Sequence, residues 1–302
     1  MSAPPVMAAA RGRATPLRRF ARAFTASRTA LVGLALLIVI VLLAIVAPWI
    51  APQNPYDLTQ LDIMDGRLPP GSAAATGITY WLGTDDQGRD MLSAILYGLR
   101  ISLLVGLTSA AAAAAIGALL GLIAAYAGGR IESAIMRLVD LQLSFPAILI
   151  ALMILAFLGK GIANVILALV IVEWAAYART ARASALVESR KEYIEAAVAM
   201  GASSARILFR HLLPNCLTPL LVIATVQIAR AIALEATLSF LGLGVPVTEP
   251  SLGMLIANGY QYMLSGKFWI SFYPGVALLL AVVAINLVGD HLRDVLNPRG
   301  NS

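Results

Sequence analysis

Few side chains in this 302-residue chain are equipped for covalent chemistry. It has two histidines, His211 and His291, far apart in sequence, and one cysteine, Cys216. A single cysteine excludes an internal disulfide and any cysteine-cluster metal site. Two distant histidines do not make a metal site by themselves, so no metal is expected on this chain. The three lysines are Lys160, Lys191 and Lys267, and none is followed by Ser or Thr in a GxxxxGK context. Such a loop cradles phosphate with its amides and reaches it with the lysine. No phosphate-cradling loop of that kind is therefore read on this chain, and no catalytic residue is assigned here.

Two charges inside apolar sequence draw notice, Arg230 and Glu235. Intramembrane charges are rare and face protein or a water-filled cavity. One reading makes the two residues a polar lining of a translocation pathway. The other makes them a structural pair or the end of a helix, since "FLGLGVP" follows soon after. Five residues apart is a poor same-face spacing. The structural reading is favoured for Glu235. Glu173 and Asp140 are placed near inner helix ends, where charge reaches water, and Asp290, Arg293 and Asp294 are read as tail salt bridges.

The elements that must position these residues are apolar blocks. The chain is 60% hydrophobic and 13% charged, with mean hydropathy +0.83. Soluble domains carry about 25% charged residues. Blocks of this length cross a hydrocarbon layer ~30 Å thick, whereas a β-barrel would show ~10-residue alternating segments. The net charge of +6 is explained by basic cytoplasmic loops without invoking nucleic acid. Residues 1–28 hold six arginines and no acid, and the first block, Ala30–Ile50, is too long for a cleaved signal core. Residues 51–97 hold six aspartates and two arginines, which sets the first helix N-terminus inside. Most of those aspartates are read as solvating the loop.

Further crossings are expected at Ile101–Ala127, Leu138–Leu158, Ile162–Tyr177, Leu217–Leu243 and Phe272–Val288. Gly117 and Gly121 stand at GxxxG spacing, which lets helices approach closely in lipid. Pro146 falls inside the third block, where neighbours can satisfy the freed carbonyl. Six crossings with both termini cytoplasmic give an all-α polytopic membrane protein. No internal repeat is evident, which counts against an inverted-repeat secondary transporter. The chain divides into a basic N-terminus (1–29), a first crossing (30–50), an outer loop (51–97), a five-helix core (98–290) containing the inner loop 178–214, and a tail (291–302).

That inner loop holds "EYIEAAVAMGASSARILFRHLLPN" (192–215). Ile194, Ala197, Val198 and Gly201 fall at i, i+3, i+4, i+7, one apolar face of a short helix. Gly201 readily takes the left-handed conformation that ends helices. Ser203 or Ser204 can cap the next one, and Pro214 punctuates the start of the fifth crossing. Two readings compete: a helix lying on the membrane, or one laying its stripe into another protein's groove.

Glu195-Ala196-Ala197, Gly201 and "HLLP" (211–214) resemble the EAA loop of importer-type permeases of ATP-binding-cassette transporters. His211 stands where the broad pattern prefers Ile. "LGTDDQGRDMLSAILYGLRISLLVG" (82–106), "EATLSFLGLGVPVTEPSLGMLI" (235–256) and "INLVGDHLRDVLNPR" (285–299) are similar to the C-type subunits of the peptide and nickel permease group. The resemblance covers nearly the whole chain except the Arg-rich start.

It implies a type I importer (MetI-like) permease fold in the inner, or cytoplasmic, membrane. It implies coupling to an ATPase through Glu195, Ala196, Ala197, Gly201, Leu213 and Pro214. The partners implied are a second, B-type permease subunit, two ATP-binding subunits carrying ATP and Mg, and an extracytoplasmic solute-binding protein docking on 51–97 and 244–270. Membrane lipid surrounds the chain, which itself binds no cofactor. The cargo implied is a dipeptide, an oligopeptide or a related small solute. An ion-driven secondary transporter and a membrane-anchored scaffold protein are the alternatives from other classes.

Overall fold

The structure, a computed structural model, describes residues 24–74, 77–246 and 248–296. The arginines before residue 24 and the end of the tail lie outside the described residues. Helix α1 (Arg28–Ile50) is capped by Ser27, whose hydroxyl accepts from the Ala30 N–H. It leads into the outer loop, which contains one two-residue hairpin, β1 (Ser72–Ala73) and β2 (Thr79–Tyr80). Then come α2 (Met91–Ala127), α3 (Gly129–Ser144), α4 (Ala147–Leu158), α5 (Ile162–Glu188), α6 (Glu192–Ala199), α7 (Ser204–Phe240), α8 (Leu252–Tyr260) and α9 (Trp269–Leu296).

Five of these helices, α1, α2, α5, α7 and α9, are long and apolar enough to cross a membrane. A sixth span requires α3 and α4 together, and they are bent by 92°. The third apolar block is therefore not one helix. The proline ring disfavours helical backbone at the residue before it, and Phe145 is extended there, with φ −100° and ψ 146°. Helix α2 also differs from expectation. It begins at Met91, ten residues before the apolar block, because the Asp90 carboxylate accepts from the Ser93 N–H and caps it. At 37 residues it is about 55 Å long, so it projects beyond the hydrocarbon.

Helix α2 is the axis of the core. A Cβ placed on Gly117 would lie 2.3 Å from the Trp174 carbonyl oxygen, and one on Gly121 would lie 2.3 Å from that of Ala178. The two glycines thus let α2 and α5 touch backbone to backbone, the packing expected from their spacing. On the other side, Ile95, Leu99 and Leu103 of α2 share one cluster with Ile232 of α7 and Ile285 of α9.

The outer loop is folded rather than merely solvated. Asp85 and Arg89 are buried and ion-paired at 2.6 Å. Asp85 also accepts from the Gln87 and Arg89 N–H groups, both at 2.9 Å. Asp90 is buried, Asp57 and Asp62 cap one-turn helices, and Asp65 accepts from the Tyr80 hydroxyl at 2.9 Å. The expectation of solvating aspartates is corrected: these carboxylates organise loop backbone that has little ladder of its own beyond β1 and β2. The Trp269 Nε1 donates to the Thr84 carbonyl at 3.3 Å and ties the loop to α9.

Candidate functional site

The inner loop is built around α6. Its end is a two-bond Gly cap: Ala202 N–H donates to the Ala197 carbonyl and Gly201 N–H to that of Val198, at 3.0 and 2.9 Å. Gly201 has φ +74°, the left-handed conformation such a cap requires. Of the two candidate caps for the next helix, Ser203 is used, accepting from the Arg206 N–H.

Ile194 and Ala197 are buried. Ile194 packs among Leu122 of α2, Ala181 and Ala185 of α5, and Ile207 and Leu212 of α7. The apolar face is narrower than the spacing predicts. Val198 is 53% exposed and Met200 81%, so α6 docks on its i, i+3 edge. Glu195, Ala196, Val198 and Met200 are left as an outward ridge. The ridge includes two of the predicted coupling residues, Glu195 and Ala196, while Ala197 faces the core.

A polar clamp holds the other edge. Tyr193 donates its hydroxyl to the Glu188 Oε1 at 2.5 Å, and the Lys191 ammonium sits 2.7 Å from Oε2. Asn215 of α7 donates to the Tyr193 oxygen at 3.1 Å and to the His211 carbonyl at 2.7 Å. Burial and the bond to Glu188 push the Tyr193 phenol up to about 12. These contacts bind α5, α6 and α7 into one unit.

Pro214 stands in the first turn of the α-helical stretch Leu213–Phe240. Helix α7 runs continuously from Ser204, with a π-turn at Ile207–Leu212 just ahead of the proline. The wider turn accommodates a residue that lacks an N–H. Leu213 packs into the cluster that holds Ile194, and Pro214 is exposed.

Arg230 and Glu235 are not a pair. Arg230 is exposed, whereas Glu235 is fully buried and accepts from Ser102 at 3.0 Å and Ser239 at 2.8 Å. Glu173 is also corrected: it is 1% exposed, not at a wet helix end, and neither carboxylate oxygen has a hydrogen-bond partner among the described residues. Asp290 and Arg293 make no ion pair among the described residues. They line a cavity of about 550 Å³ between α5, α7 and α9, with Thr180, Thr218 and Gln227. Sequence reading missed this cavity because it joins residues from three distant helices.

The fold and this inner loop together define a transport permease. Residues 117–301 match the family of inner membrane components of binding-protein-dependent transport systems, and residues 15–70 match the N-terminal transmembrane domain of oligopeptide transport permease C. The chain belongs to that permease family, whose relatives are membrane transport subunits rather than enzymes.

Among its relatives is a di/tripeptide transport system permease protein, DppC, of Pseudomonas aeruginosa. It is 41% identical over 286 residues, covering 94% of this chain and 93% of that protein. The Escherichia coli dipeptide permease DppC is likewise 41% identical over 286 residues, covering 94% of each chain. A putative peptide permease of Brucella suis is 43% identical over 285 residues, covering 94% of this chain and 93% of that protein. Among solved structures, an inward-facing MetNI methionine transporter chain aligns with a TM-score of 0.56 at 22% identity, covering 68% of this chain and 98% of that one. That likeness concerns the fold.

Proposed function

We propose that this chain is one of two permease subunits of an ATP-binding-cassette importer for dipeptides, oligopeptides or a related small solute. Both termini are cytoplasmic and α3 with α4 supplies the sixth crossing. Two ATPase subunits, carrying ATP and Mg, dock on α6, and a solute-binding protein docks outside. The peptide cargo is supported by the peptide and dipeptide relatives of near-equal length.

The single observation that carries the coupling reading is α6 itself. It is an eight-residue helix, too short to cross, clamped by Glu188, Tyr193 and Asn215, with an exposed ridge of Glu195, Ala196, Val198 and Met200. A helix that merely lay on lipid would need no such clamp. The Gly201 cap and the packing of Leu213 hold it in register from the other side. Outside, Trp81, Met64, Tyr260 and Leu264 are exposed on the two loops assigned to the binding protein. Of the two intramembrane charges, we assign Arg230, which is exposed, to the pathway, and Glu235, bonded to Ser102 and Ser239, to helix packing.

ATP draws the ATPases together and displaces α6, which favours the outward-open arrangement. The shift is no larger than the difference in ATP affinity between the two states. Pull-down with the co-encoded ATPase subunits tests this. Wild type retains them and Gly201→Asp, which strains the cap and places a charge beside the ridge, loses them. Equal recovery with both would end the coupling assignment.

A further inference from the structure

We propose that α3 carries a binding site for an anionic phospholipid of the cytoplasmic leaflet, with Arg130 and Arg137 holding the lipid phosphate. The placement of α3 on the cytoplasmic side rests on the orientation in the preceding reading.

The charges of α3 are sorted by face. Both acids turn to α5: Glu132 pairs with Arg182, and Asp140 pairs with Arg179 at 2.5 Å. Val139, on the same side of the helix, is buried against Ala175 and Ala178. The two arginines of α3 point the other way, are exposed, and make no ion pair among the described residues. They stand seven residues apart, two turns along one stripe. Arg130, Ser133, Ala134 and Arg137 line a concavity of about 480 Å³.

What continues that stripe identifies the occupant. Leu141 follows the arginines on the same face and is 61% exposed, Phe145 just past the helix end is 62% exposed, and Ile131 and Leu138 flank them at 53% and 55%. A soluble phosphate would use the arginines and leave these four side chains in water. A phospholipid uses both halves, its phosphate on the guanidiniums and its acyl chains along Leu141 and Phe145. The 92° bend to α4 sets α3 off the line of α4 within this broken span, with its arginine-bearing first turns at the headgroup level. A juxtamembrane basic residue attracts anionic lipid by about fivefold in affinity each.

The test uses the full chain with whatever subunits it retains, in nanodiscs of phosphatidylcholine with and without phosphatidylglycerol. Retained lipids are counted by native mass spectrometry. Arg130→Gln with Arg137→Gln is expected to weaken phosphatidylglycerol retention by roughly thirtyfold, with phosphatidylcholine unchanged. The double Lys variant is expected to keep most of it. Equal phosphatidylglycerol retention in wild type and the Gln double variant overturns the proposal. So does loss of an ATPase subunit with no change in bound lipid, which would make this face a protein interface. A Ser133→Cys variant separates the two levels of inference. Labelling by an impermeant thiol reagent from outside the cell would refute the orientation, whereas labelling from inside with unchanged lipid retention refutes only the lipid site.

Discussion

Replacing Gly121 by alanine should loosen the contact between α2 and α5 in a way no side chain can absorb. The added Cβ would meet the Ala178 carbonyl oxygen at 2.3 Å, the Ala181 Cβ at 2.7 Å and the Arg182 N at 3.0 Å. All three atoms are backbone or Cβ, so rotamers offer no relief. Non-bonded heavy atoms sit about 3.5–4.0 Å apart at their optimum, so the helices must part by about 1 Å. Overpacking of this kind costs about 1–3 kcal/mol, and about 2 kcal/mol lowers the unfolding midpoint by about 4–8 °C. The assay is built in: Cys216 is the only cysteine and is buried, so a thiol-reactive dye reports its exposure on heating. Gly275→Ala is the control. A Cβ there meets nothing within 4 Å, and alanine is the better helix former by up to about 1 kcal/mol, so its midpoint should hold or rise. If Gly121→Ala unfolds with wild type, the backbone contact between α2 and α5 is wrong.

In the outer loop, Arg89→Gln leaves the buried Asp85 carboxylate without its partner, which costs about 3–5 kcal/mol. The same dye assay should show the loss, and adding Asp85→Asn should recover part of it. Burial first, and then the neighbouring Asp85, push the Asp86 carboxyl up. A raised folded pKa means that ionisation opposes folding at neutral pH, so Asp86→Asn should be more stable than wild type there. That advantage should vanish as pH falls through the folded pKa towards the ordinary carboxylate value, and a pH-independent difference would refute the cause. Tyr193→Phe removes the donor to Glu188 and the acceptor for Asn215, a loss of about 1.5 kcal/mol at this half-exposed position. Hydrogen exchange of the α6 amides should speed up about tenfold, with the amides of α2 unchanged.

The parts of this molecule legible in the sequence are those fixed by local composition. Blocks long enough to span show in hydropathy wherever they sit. Gly201 marked the end of α6 and Gly117 with Gly121 marked the close packing, because only a residue without Cβ serves at either place. What was not legible depends on direction or on distant partners. Hydropathy over 138–158 reports that the block is apolar but not that it turns by 92° at Phe145. The second crossing is expected from Ile101, yet the helix starts at the Asp90 cap, a signal present in the sequence but ten residues outside the apolar block. The burial of Glu173 depends on how other helices pack around it, which no periodicity encodes.

Those contacts also limit how a push on α6 can travel. The ridge of α6 is not free to swing alone, because Asn215 ties it through Tyr193 to the first turns of α7. Helix α7 has 37 residues and so spans about 55 Å. Near its far end the buried Glu235 is bonded to Ser102 of α2 and to Ser239. A stiff rod fixed at both ends would carry a displacement from α6 into the α2 contact. The exceptions along it are the π-turn at Ile207–Leu212 and Pro219, where interrupted hydrogen bonding makes bending cheaper than elsewhere. Both lie in the half nearest α6, so the half of α7 that carries Arg230 and grips α2 has no such break. Any mechanism that couples α6 to the pathway therefore passes through a bend at one of these two positions or through the slippage of α7 against α2 at Glu235.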